Sequence, residues 1–113
     1  MNLKQIAQQL EATLVYGGDN WETIQIETIF ASDLMSDVLM SDRDEMLVVT
    51  SLSTEQSVRA AGIVGAEAVL IANNKTVSDG MVALAKELEV VLLRTRFPKY
   101  ETCLKIGKIR EQE

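Results

Sequence analysis

Three groups of side chains in this sequence could hold an anionic ligand. Thr50, Ser51, Ser53 and Thr54 form the first, Asn73, Asn74, Lys75 and Ser78 the second, and Arg94, Thr95 and Arg96 the third. Hydroxyl and amide groups donate hydrogen bonds to phosphate or carboxylate oxygens. Guanidinium and ammonium groups add charge-assisted bonds, which are the stronger ones. Thr50, Ser53, Thr54, Asn73, Lys75 and Arg94 are therefore the candidate ligand-binding residues. The same residue types also cap helices and close turns with no ligand present, and the sequence leaves both readings open.

Other chemistry is thinly represented. Asp33, Asp37, Asp42, Asp44 and Glu45 form an acidic run that could offer oxygen ligands to Mg²⁺, but their spacing matches no metal loop. A solvated surface with helix-capping carboxylates explains the run as well. Cys103 stands alone, with neither a second cysteine nor an evident base to activate it, and reads as a small packed residue. The chain contains no histidine, which removes the usual general base, the Ser-His-Asp triad and His-ligated metals. Neither the Gly-x-x-x-x-Gly-Lys-Ser/Thr string of a P-loop nor the Gly-x-Gly-x-x-Gly string of a dinucleotide fold occurs. No catalytic residue, metal site or cofactor is assigned.

The elements that must position the three groups are legible. Met46–Val49, Ala68–Ile71 and Val90–Leu93 are apolar runs whose starts lie 22 residues apart. Each is too short for a buried helix and reads as a buried strand. Between them, Thr54–Val64 and Asp79–Leu88 carry helical spacing. Strand, helix, strand, helix, strand is the signature of parallel βαβ crossovers. The three groups then fall at the carboxyl ends of the strands, the edge where open α/β sheets bind ligands.

The flanking segments follow the same logic. Asn2 caps a short amphipathic helix bearing Leu3, Ile6, Ala7 and Leu10. Thr13–Tyr16 is a strand, and Gly17-Gly18-Asp19-Asn20 a turn. Thr23–Phe30 alternates Ile24, Ile26 and Ile29 with polar residues and reads as a half-exposed strand, with antiparallel pairing to Thr13–Tyr16 as one arrangement. Trp21 covers one end of the sheet. Ser32 or Asp33 caps a short helix, and Ser53 opens a Ser-x-x-Gln capping box with Gln56. Gly65 stops one helix and Ser78 caps the next. Pro98 opens a final helix whose apolar stripe is Phe97, Tyr100, Leu104 and Gly107.

Size and charge bound the partners. A chain of 113 residues with 47% hydrophobic content makes one domain, residues 1–113, with a single core. Net charge is −6 and the pI 4.7. That lacks the basic excess a nucleic-acid groove or an anionic membrane surface needs. No apolar run approaches the ~20 residues of a membrane span. A lone cysteine and the absence of a signal-like apolar stretch in Met1–Glu11 make the cytoplasm the expected location.

A family resemblance rests on two stretches. Ala31-Ser32-Asp33-Leu34-Met35-Ser36-Asp37-Val38-Leu39 and Ser53-Thr54-Glu55-Gln56-Ser57-Val58-Arg59 resemble the N-terminal domain of bacterial HPr kinase/phosphorylase and the free-standing DRTGG domain, which also occurs beside CBS domains and in some phosphotransacetylases. The similarity runs over roughly Leu14–Leu104. A contiguous Asp-Arg-Thr-Gly-Gly is absent, and Asp42-Arg43-Asp44 is the nearest fragment. The resemblance implies a three-layer α/β/α domain with a mixed, largely parallel sheet. Because the catalytic P-loop of HPr kinase lies in a separate domain not found here, it also implies a regulatory or assembly module. The first expectation is thus a non-catalytic regulatory module that binds a small anionic ligand or a partner protein, the second an oligomerisation domain alone, and the third a small enzyme.

Apolar supply exceeds what one small core obviously needs. Trp21, Met35, Met40, Met46 and several isoleucines compete for it, and a surplus forms exposed patches that mark interfaces. Leu34, Met35, Val38 and Leu39 are the candidate interface residues, in a homodimer as the commonest closed assembly. A monomer in which this helix plugs one end of the sheet is the competing expectation.

Overall fold

The computed structural model describes all 113 residues. Its sheet is built outward from β4 (Ala68–Ile71). β3 (Met46–Thr50) lies on one side and β5 (Val91–Arg94) on the other, both parallel to it, with Leu47 opposite Ala68 and Val69 opposite Leu92. β2 (Thr28–Ala31) extends the sheet beyond β3 in parallel, and β1 (Thr13–Tyr16) closes the far edge antiparallel to β5. The order is β1-β5-β4-β3-β2.

Side-chain alternation along these strands makes two cores. Val48, Val69, Ile71 and Leu92 face α2 (Met35–Leu39), α3 (Glu55–Val64) and α4 (Asp79–Leu88). Leu47, Val49, Leu70 and Leu93 face α1 (Leu3–Gln9) and α5 (Lys99–Glu111). Every residue of β3 and β4 is buried, as strands covered on both faces require. The architecture is the three-layer α/β/α arrangement with a mixed, mostly parallel sheet.

Local signals explain most boundaries. Asn2 and Gln5 make a reciprocal capping box at α1, with both bonds at 2.9 Å. Ser78 Oγ accepts from the Met81 amide at 3.2 Å and starts α4. Gly65 ends α3 with φ +73°, a conformation open to glycine without strain.

Five expectations are corrected. Thr23–Phe30 is not one strand beside Thr13–Tyr16. Trp21–Thr23 is a 3₁₀ turn, Leu3 N donates to Ile24 O, and Ile26 N donates to Met1 O, so that part runs along the start of α1. Only Thr28–Ala31 reaches the sheet, at the opposite edge, where Ile29 and Phe30 join different cores. The last strand is shifted by one, to Val91–Arg94, because Val90 N is held by Ala85 O at the end of α4. Ser53 does not cap α3: Thr54 is the cap position, and the Ser53 hydroxyl donates to Thr76 O instead. In α5 the expected stripe faces outward at Tyr100 and Leu104, while Thr102 and Ile106 are buried. Finally, Met35 and Val38 lie in the core rather than at a surface, because α2 turns that side onto the sheet and α3; of the candidate interface residues, Leu34 and Leu39 stay exposed.

Candidate functional site

The carboxyl ends of the parallel strands gather two polar clusters. The first lies beyond β3. Asp33, in the connection after β2, accepts from Thr50 Oγ1 at 2.9 Å, Ser51 N at 2.8 Å and Ser51 Oγ at 2.9 Å, and also from the Lys99 ammonium at the start of α5. Burial by itself would raise the Asp33 pKa. The Lys99 charge and the bonds from Ser51 and Thr50 outweigh it and hold the carboxyl well below the usual carboxylate range. A carboxylate so stabilised is a weak proton acceptor, so Ser51 beside it is not an activated nucleophile. The cluster locks β2, β3 and α5 together.

The second cluster lies beyond β5. Antiparallel pairing sets Thr13 directly opposite Arg94. Glu11, Thr13, Asn74, Arg94, Thr95 and Arg96 line a cleft of about 130 Å³. Arg94 Nε donates to Lys75 O at 2.9 Å, which fixes the guanidinium plane. Arg96 meets Glu11 at 3.2 Å and lies over the Phe97 ring, 4.4 Å from its centroid. Asn73 and Asn74 adopt positive φ, 73° and 54°, which asparagine tolerates better than most residues. Their amides donate to Phe97 O at 2.7 Å and Thr95 O at 3.1 Å, tying this loop to the lead-in of α5.

The six candidate ligand residues therefore separate. Arg94 lines the cleft, with Asn73 and Lys75 on the loop that walls it. The Thr50 hydroxyl is buried and committed to Asp33, the Ser53 hydroxyl is committed to Thr76, and Thr54 is an exposed cap residue without a side-chain bond. Two lining residues, Glu11 and Thr13, escaped sequence reasoning because the pairing of β1 with β5 joins positions about eighty residues apart. No group of three metal-ligating side chains converges anywhere in the chain, and the acidic run after Asp33 is dispersed. Burial pushes the Cys103 thiol up, with the Lys99 charge offsetting only part of that, so it stays protonated.

These features define a class, an α/β domain with polar groups at the carboxyl edge of its sheet, and the comparisons define the family. The DRTGG domain family model matches residues 5–109, and the chain belongs to that family. A solved structure of the CBS and DRTGG domains from the regulatory region of Clostridium perfringens pyrophosphatase, in complex with its activator diadenosine tetraphosphate, is similar in fold, with a TM-score of 0.78 at 11% identity. The match covers 93% of this chain and 45% of that one, so this chain spans a little under half of that neighbour. No curated protein matches the chain. No helix is long and apolar enough to cross a membrane.

Proposed function

We propose that this chain is a non-catalytic regulatory module that binds a small anionic ligand at the carboxyl edge of its sheet, in the cytoplasm. The observation that carries this is Arg94. Its Nε is anchored to a carbonyl, while its terminal nitrogens donate to no group in the chain and face a cleft shared with Arg96, Thr13 and Asn74. In a chain of net charge −6, cations held at one edge favour an anion. The cleft of about 130 Å³ is smaller than the roughly 300 Å³ at which drug-sized pockets begin. It suits one phosphate or carboxylate group, with the rest of the ligand lying over the Asn73–Lys75 loop. Glu11 competes for Arg96, but both are exposed, and such a pair is worth only about 0–1 kcal/mol. An incoming anion can displace it. The regulatory, activator-bound character of the structural neighbour supports the same reading.

Titration calorimetry with inorganic phosphate, ATP and diadenosine tetraphosphate tests it. At least one should bind, and Arg94→Ala should weaken that binding about tenfold, near 1.4 kcal/mol. Absence of heat and of thermal stabilisation with all three at millimolar concentration would sink the proposal. The chain should also fail to phosphorylate HPr with ATP and Mg²⁺, since it carries no P-loop string.

A second reading, an assembly domain that forms homodimers, is favoured by a separate observation. Leu34, Leu39, Met40 and Ile63 are 59%, 46%, 85% and 69% exposed around α2 and α3. Leu39 and Ile63 line one groove between α2 and α3, and exposed apolar side chains grouped in this way mark interfaces. The two readings are compatible in one molecule.

A further inference from the structure

Arg94 is flanked by a donor on either side. Its backbone lies opposite Thr13 of β1 on one side and opposite Ile71, the last residue of β4, on the other. Asn74 follows β4 by three residues, so Thr13 and Asn74 reach the cleft from opposite neighbours of β5. Neighbouring strands lie about 4.8 Å apart. Arg96 adds a third direction, two residues further along the same chain, and all four residues line the cleft. The Arg94 terminal nitrogens, the exposed Thr13 hydroxyl and the exposed Asn74 side-chain amide hold no bond inside the chain. The Thr95 hydroxyl differs, being committed to Leu10 O at 2.8 Å. Donors from three directions suit a group whose acceptors also point in three directions. A phosphate carries three outward oxygens, a carboxylate only two, in one plane.

Charge narrows the choice further. The cleft holds two guanidinium groups and one carboxylate, Glu11, whose oxygens accept from Arg96 at 3.3 Å and 3.2 Å. A singly charged ligand is neutralised by Arg94 alone and leaves that pair intact. A doubly charged ligand engages both arginines and displaces Glu11. Arg96 does not need Glu11 to stay in place, because its guanidinium also lies over the buried Phe97 ring.

We infer that the cleft takes a terminal phosphate, the dianion of a phosphate monoester, in preference to a phosphodiester or a carboxylate, and that Glu11 is the group it displaces from Arg96. The inference rests on the anion-binding reading above and names the ligand class of that same site. A terminal phosphate carries two charges once the pH exceeds its second pKa of about 6. A phosphate inside a polyphosphate chain carries one. At this cleft ATP should therefore bind more tightly than diadenosine tetraphosphate, whose phosphates are all internal.

NMR titrations at pH 8 and fixed ionic strength compare three probes. Methyl phosphate is a dianion, dimethyl phosphate a monoanion of the same tetrahedral shape, and acetate a planar monoanion. Methyl phosphate should shift the Asn74 and Arg96 amides and bind about fivefold more tightly than either monoanion, the factor that one exposed charge pair supplies at its upper end. Glu11→Gln should tighten methyl phosphate by about two- to fivefold, and Arg96→Ala should abolish its preference over dimethyl phosphate. Glu11 and Arg96 are exposed side chains, so both variants keep the fold, and their spectra show it; the comparison of probes on the wild type needs no variant. Equal binding of the three probes overturns the terminal-phosphate assignment, while the anion reading stands. A preference that survives Arg96→Ala overturns the assignment of the second charge to Arg96. Methyl phosphate binding that Glu11→Gln leaves unchanged overturns the part given to Glu11. No shift at the cleft with any probe at millimolar excess overturns the anion reading itself.

Discussion

Thr50 Oγ1 donates to Asp33 Oδ1 at 2.9 Å, joining the end of β3 to the end of β2 across 17 residues of sequence. The hydroxyl is fully buried, so this bond leaves no stranded polar group where the sheet opens to solvent. Asp33→Ala should destabilise the fold by about 1–3 kcal/mol, the cost of orphaning a buried hydrogen-bonding group. The exposed Lys99 contact adds little, because solvent screens it. Denaturant melts would measure the loss; one under about 0.5 kcal/mol would mean that water replaces Asp33 freely, well below that range.

The same carboxylate gives the fold a pH dependence with a definite sign. Its pKa is depressed by folding, so its contribution is fully present above the unfolded value of about 3.9 and fades as pH falls toward the folded value. The stability gap between wild type and Asp33→Ala should be flat from neutral pH down to about 5 and shrink below about 4. A gap that grows on acidification would contradict the arrangement.

Leu70 tests the centre of the sheet. It is fully buried in β4, and Leu70→Ala should cost about 2–5 kcal/mol by lost transfer energy and a residual cavity. Equilibrium unfolding decides it, and a loss below about 1 kcal/mol would mean that the site collapses far better than a two-sided core allows.

What the sequence made legible, and what it hid, follows from the range of the interactions. Runs 46–49 and 68–71, helices α3 and α4, and the caps at Asn2, Gly65 and Ser78 depend on neighbours a few residues away, and periodicity reveals them. The edge strands are only four residues long, and their pairing depends on which partner is free, so no local pattern tells that β2 joins β3 while β1 joins β5. In α5 two stripes share helical spacing. The larger side chains, Tyr100 and Leu104, suggested the outward one, but the sheet selected Thr102 and Ile106. Of the cleft's lining residues, Asn74, Arg94, Thr95 and Arg96 are legible as polar groups at the strand ends. Glu11 and Thr13, and the Asp33 lock to Lys99, join residues too distant for any local pattern to show.

Gly62 offers a test in which two opposing effects can be ranked. It lies within α3, where replacing glycine by alanine should gain about 1 kcal/mol of helix propensity. Here a Cβ would sit 2.7 Å from Leu88 Cδ1 and 3.3 Å from Leu88 Cβ, across the contact between α3 and α4. The Leu88 methyl can rotate away, since that side chain is partly exposed, but its Cβ is fixed to the α4 backbone. The helices must therefore separate slightly, and overpacking of this kind costs about 1–3 kcal/mol. Gly62→Ala should come out neutral to destabilising by up to about 2 kcal/mol, the difference between those two ranges. Gly62→Val, with a branched side chain at the same contact, should be clearly worse. Thermal melts of the two variants side by side settle the ranking. If Gly62→Ala stabilises the protein by the full propensity gain, α3 and α4 are not in close contact at this position.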